Sequence, residues 1–150
     1  MGLDMFLSAR TSVYRYSDEA GQKLDAIKAL FPNQPGITKA ENATVEFGIG
    51  YWRKANAIHA WFVDNVQEGK DDLEDYEVSR EELQSLLNAC TMVLDGRAKP
   101  EDILPTRGGF FFGDTAYDAR YFDILEDTIV TLDNALSLDN GWWFTYRASW

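Results

Sequence analysis

Apolar and polar positions change period several times along the chain, and each change marks an element. Leu3-Asp4-Met5-Phe6-Leu7 alternates with Leu3, Met5 and Leu7 on one side, which predicts a short strand. Ser17 with Asp18 and Glu19 caps a helix running to about Phe31, its stripe formed by Leu24, Ile27, Leu30 and Phe31. Pro32, Pro35 and Gly36 punctuate the loop that follows. From Thr44 to Tyr51, Val45, Phe47, Ile49 and Tyr51 alternate on one side of a second strand. Trp52, Ala55, Asn56, His59, Phe62, Val63 and Val66 then fall at helical spacing, and this helix stops before Gly69. After an acidic loop, Ser79-Arg80-Glu81-Glu82 supplies a capping box. The helix it opens carries Leu83, Leu86, Leu87, Cys90, Val93 and Leu94 on its apolar side and ends at Gly96. Ile103-Leu104-Pro105 leads to a glycine- and phenylalanine-rich loop. Beyond it, Asp114 or Thr115 caps a long helix with Tyr121, Ile124, Leu125, Thr128, Ile129, Leu132 and Leu136 inward. Trp142, Phe144, Tyr146, Ala148 and Trp150 alternate with Trp143, Thr145, Arg147 and Ser149 in a closing strand.

The pattern predicts an α+β fold: about four helices packed with a small, mainly antiparallel sheet that includes the N- and C-terminal strands. At 150 residues, without an internal repeat or a Pro/Gly/Ser linker, the chain reads as a single compact domain over 1–150. With 45% hydrophobic residues it can bury a core without staples. One Cys excludes an internal disulfide, and one Cys with one His excludes a zinc-finger type of site. There is no charged n-region followed by an apolar h-region, and no run approaches a membrane span, so the expectation is a soluble cytosolic protein.

Charge changes the picture in one place. The net charge of −11 argues against a protein that binds the phosphate backbone of nucleic acid. From Asp64 to Glu82 there are nine acids and two bases, so this segment carries −7 of the total. The segment Asp71-Asp72-Leu73-Glu74-Asp75 lacks the alternate acids, central glycine and closing glutamate of a calcium hand, and reads as a solvated loop without a metal site. It also offers a protein-binding surface, in which Asp71, Asp72, Glu74 and Asp75 stand in for nucleic-acid phosphates against a basic host protein.

Several strings together carry a resemblance: Met1-Gly2-Leu3-Asp4-Met5-Phe6-Leu7, Tyr51-Trp52-Arg53-Lys54-Ala55-Asn56-Ala57-Ile58-His59 with Trp61-Phe62, Gly109-Phe110-Phe111-Phe112-Gly113 with Tyr117-Asp118, and the final Ser149-Trp150. In these, nearly end to end, the chain resembles a family of small bacteriophage and prophage proteins. Members typically read Tyr where this chain has Phe6, and often Cys where it has Leu73. The second departure argues against a functional cysteine in the acidic loop. The resemblance carries over no catalytic residue. It implies a phage-encoded protein acting inside an infected bacterium, where small accessory proteins often counter host defence.

Candidate chemistry centres on few residues. His59 is the sole imidazole, so any histidine-dependent step must use it. Two readings stay open for it: a core histidine bonded to a backbone group or to Asn56, or the rim of a pocket lined by Trp52, Arg53 and Asn56. Cys90, on an apolar face with no activating neighbour in sequence, reads as a small hydrophobe. Arg107-Gly108-Gly109-Phe110-Phe111-Phe112-Gly113 lacks the ending of a nucleotide-triphosphate loop. Its three rings cannot all enter one core, so at least one is partly exposed. The helix after it offers N–H groups to an anion, with Arg53, Arg107, Arg120 and Arg147 as cationic partners. Asp123 and Asp127 share one helical face and read as surface.

Three functions follow. The first is a non-enzymatic protein that sequesters a compact nucleotide-derived ligand, such as a host defence signal. Its site comprises Trp52, Arg53, Asn56, His59, Arg107, Phe110, Phe111, Phe112 and Arg147, with no cofactor. The second is an acidic inhibitor of a host protein through residues 64–82, and the third a small nucleotide hydrolase using His59. A homo-oligomer joined through exposed rings and Trp150 fits all three.

Overall fold

The computed structural model describes residues 2–150; Met1, the first residue of the opening motif, lies outside them. Strand β1 (Asp4–Tyr14) is the spine of a four-stranded antiparallel sheet. It pairs on one side with β2 (Asn42–Arg53) and on the other with β4 (Trp143–Ser149), and the short β3 (Tyr76–Val78) borders β4, giving the order β2-β1-β4-β3. The terminal strands are thus direct neighbours, with Asp4 opposite Ser149 and Arg10 opposite Trp143. β1 is longer than the opening run suggests. Beyond Leu7 the alternation continues in Ser, Ala, Arg and Thr, whose weak contrast in hydrophobicity hides it from a pattern reading.

Every second residue of β1 enters the core: Leu3 at its threshold, then Met5, Leu7 and Ala9. Phe144, Tyr146 and Ala148 of β4 join them, as the closing alternation predicts. Helices α3 (Asn56–Asn65), α4 (Arg80–Leu94) and α6 (Ala119–Leu136) supply the other side of this core. Helix α1 (Asp18–Ala29) packs on the far parts of β1 and β2, where Thr11 and Val13 share a groove with Ala20 and Lys23. Two four-residue turns, α2 (Pro35–Thr38) and α5 (Pro100–Ile103), begin on prolines already set for a first helical turn. No helix among the described residues is long and apolar enough to cross a membrane.

Four local expectations are corrected. Trp52 belongs to β2, and α3 starts only at Asn56, because Lys54 takes a left-handed φ of 55° and turns the chain between them. From Asn56 to Val63 every residue of α3 is buried, so no polar face exists for a stripe to contrast with. Tyr51 does not share a face with Phe47. The pairing shifts from Leu7–Gly50 to Ser8–Gly48, which leaves Ile49 as an extra residue and inverts the alternation across it. α1 ends before Leu30 and Phe31, and both are exposed. Finally, Asp118 caps α6, accepting from Tyr121 N, whereas Asp114 closes a turn onto Ala116 N. The capping box of α4 stands as read, with Ser79 and Glu82 bonded reciprocally.

Gly50 faces the helical layer, and a Cβ there would lie 2.7 Å from the Thr131 methyl and 3.2 Å from Leu7 Cβ. Gly50→Ala is therefore expected to destabilise the fold by about 1–3 kcal/mol through overpacking. Denaturant unfolding checks it, and an unchanged midpoint would contradict this packing.

Candidate functional site

His59 is placed by α3 in the core, with 1% of its side chain exposed. Its Nδ1 lies 2.8 Å from the Tyr146 hydroxyl, and its Nε2 lies 3.0 Å from Asp71 Oδ1. Burial pushes the histidine pKa below 6.5, against the opposing pull of Asp71. Burial also pushes the Tyr146 hydroxyl well above its usual 10, so that group is protonated. A carboxylate can only accept, so Nε2–H donates to Asp71 and Nδ1 accepts from Tyr146 O–H. Phe112 meets the imidazole edge-on at 5.3 Å, Trp150 packs at 5.6 Å, and Phe62 stacks on Tyr146 at 3.8 Å. The core reading of His59 is the one observed, with Tyr146 and Asp71 as its partners in place of Asn56 or a backbone group. Trp150, expected at an interface, packs against this core.

Asn56 is likewise spent inside the protein. Its Nδ2 donates to the carbonyls of Phe112 (3.1 Å) and Asp114 (2.8 Å), and its Oδ1 accepts from Arg107 N at 3.1 Å. One buried amide thus pins the loop 107–114 at three points. The Arg107 guanidinium is tied to Asp64 at 2.6 Å. Of the three loop rings, Phe112 plugs the core, Phe111 is half-buried, and Phe110 is 96% exposed. Trp52 donates its indole N–H to Thr128 Oγ1 at 2.8 Å. Beside these groups, Lys54, Asn56, Asp118 and Arg120 border a cavity of about 30 Å³. That is room for one water and not for a nucleotide.

The nine residues proposed as one ligand site therefore separate. Trp52, Asn56, His59 and Phe112 lie in the core, Arg107, Phe110 and Phe111 on the loop, and Arg53 and Arg147 on the opposite, open face of the sheet. The acidic surface is also partly committed: Asp71 to His59, Asp72 to the Tyr76 hydroxyl and Glu74 N, and Asp75 to Arg10. It is a structured flap carrying β3. Cys90 is buried with its thiol pushed up to about 12, which makes it inert. Among the described residues no three acids, histidines or cysteines cluster as metal ligands.

The open face gathers the polar half of the alternation into rows. Across β2, β1 and β4 these run Arg53–Asp4–Ser149, Tyr51–Phe6–Arg147, Gly48–Ser8–Thr145 and Glu46–Arg10–Trp143. No helix among the described residues covers the central rows, where Phe6 is 42% and Tyr51 57% exposed, their ring centroids 5.5 Å apart. A hollow around Phe6 and Arg147 is bordered by Asp4, Ser8, Asp75, Thr145 and Ser149. Asp4 accepts from the Tyr51 hydroxyl at 2.5 Å and lies 4.0 Å from Arg53; Asp75 is paired with Arg10 at 3.4 Å. Arg147 lies within ion-pair distance of no carboxylate among the described residues. Sequence reasoning missed Phe6, Tyr51, Ser8 and Thr145 as a group. The available signal was an aromatic, Phe6, between two inward residues, Met5 and Leu7.

Comparison with protein-family models, with curated proteins and with solved structures finds no match to this chain in any of the three.

A buried neutral imidazole binds a proton less readily in the folded than in the unfolded chain. Stability is then full above the ordinary histidine value of 6.5 and falls as the pH drops below it. The melting midpoint is expected to fall below pH 6.5, and His59→Gln to flatten that slope while lowering stability at neutral pH by about 1–3 kcal/mol. Parallel pH profiles of parent and variant would contradict the neutral clasp.

Proposed function

We propose that this protein binds a compact anionic ligand carrying a flat ring, nucleotide-like in its chemistry, on the open face of its sheet, and sequesters it unchanged. The observation that carries this reading is the Arg147 guanidinium, without a carboxylate partner among the described residues, beside the exposed Phe6–Tyr51 ring pair over a hollow. A guanidinium fork grips phosphate or carboxylate through two parallel hydrogen bonds, and an aromatic face stacks on a base. The two acids of the hollow are held by Tyr51 and Arg10, so an incoming anion meets Arg147 as the unspent charge. Arg53 stands one row away. The hydroxyls of Ser8, Thr145 and Ser149 border the hollow and can hydrogen-bond a sugar or base edge.

Holding is favoured over turnover because His59 and Cys90 are sealed in the core, away from this face. The resemblance to phage proteins supplies the setting: a nucleotide signal of the host cell, removed from circulation by stoichiometric capture.

Isothermal titration against nucleoside monophosphates and cyclic nucleotides tests the reading. Arg147→Ala is expected to weaken binding at least tenfold, about 1.4 kcal/mol, and Phe6→Ala by about 1–3 kcal/mol through lost stacking. Ligand recovered intact after denaturation completes the expected result. If both variants bind like the parent, or no member of the panel binds, the site is wrong; recovery of a cleaved product would mark a hydrolase.

A further inference from the structure

We infer that the outer edge of β2 is an interface that pairs with the same strand of a second copy of this chain. β2 is twelve residues long and contains no proline, whereas the other edge of the sheet, β3, is only three residues long. Its outward backbone groups find no partner among the described residues. The chemical complement of such an edge is another extended backbone. The strand also carries its own selection of register. The extra residue at Ile49 inverts the alternation, so Glu46 and Gly48 on one side share the open face with Tyr51 and Arg53 on the other. A two-fold axis between Ile49 and Gly50 places Glu46 opposite the partner's Arg53 and Gly48 opposite the partner's Tyr51, each pair occurring twice.

A shift by one residue puts these side chains on opposite faces, and a shift by two removes both ion pairs. Both side chains stay accessible to solvent, Glu46 at 44% and Arg53 at 56%. Glu46 shares Arg10 with Asp75, two carboxylates on one guanidinium, and Arg53 reaches Asp4 only at 4.0 Å. Gly48 has no atom within 4 Å of a Cβ position, leaving space that an aromatic ring across the edge can cover. The product is a continuous eight-stranded sheet with both open faces on one side.

Sedimentation equilibrium on the full chain up to about 100 µM tests this. The parent is expected to approach twice its monomer mass. Glu46→Arg and Arg53→Glu should each weaken association at least tenfold, and the combined E46R/R53E chain should regain it. Gly48→Lys, which has room in the monomer, should dissociate the dimer while circular dichroism stays unchanged, covering the case in which a charge reversal fails to fold. A parent that stays monomeric overturns the inference, as does a dimer indifferent to Gly48→Lys or single reversals unrepaired by the double swap.

Discussion

The rest of the structure depends on one buried imidazole. His59 joins three separate stretches of the chain: its own helix α3, the C-terminal strand through Tyr146, and the acidic flap through Asp71. The bond to Tyr146 is buried among rings, where an unpaired polar group would carry its full desolvation penalty, and the bond to Asp71 closes the solvent side of the imidazole. The arrangement uses a neutral histidine and a protonated tyrosine, and burial favours both states. Asn56, one turn earlier, extends the same logic to the loop 107–114. The single helix α3 thereby positions the flap, the loop and the last strand at once.

That economy has a functional consequence. The residues with the most suggestive chemistry in the sequence are consumed in holding the molecule together. What stays available lies on the other side of the sheet, where no helix among the described residues covers Phe6, Tyr51, Arg147 and their neighbours. The acids of the flap illustrate the same division. Asp71 and Asp72 bond to His59 and Tyr76 of the protein itself, while Asp75 turns to the open face and pairs with Arg10 there. Binding of an anion at the open face is therefore a proposal about surplus charge, and it leaves the clasp untouched.

Much of the fold was legible because local signals and burial agree. The capping box at Ser79, the alternation from Trp142 to Trp150 and the neighbouring terminal strands all follow from the pattern. The misreadings have physical reasons. A helix buried all round, as α3 is, has no polar face, so Trp52 could be drawn into its stripe. The bulge at Ile49 moved Tyr51 to the opposite face; Gly48 and Gly50 on either side were the signal that a regular alternation would break. The candidate site was legible as an inventory and not as a place. Spacing showed that His59 faced apolar neighbours, but its partners Tyr146 and Asp71 lie 87 and 12 residues away. Arg53 and Arg147 fall in neighbouring rows of one face because strand pairing joins β2 and β4 through β1, a placement that spacing along the chain does not carry.

The clasp itself can be observed directly. Nitrogen-15 spectra of the His59 ring at neutral pH report which nitrogen carries hydrogen and whether the ring is charged. A neutral ring with the proton on Nε2, exchanging slowly with solvent, is expected, with loss of that signature in Asp71→Leu, which removes the acceptor. A ring protonated on both nitrogens at neutral pH, or one averaging rapidly between tautomers, would contradict it.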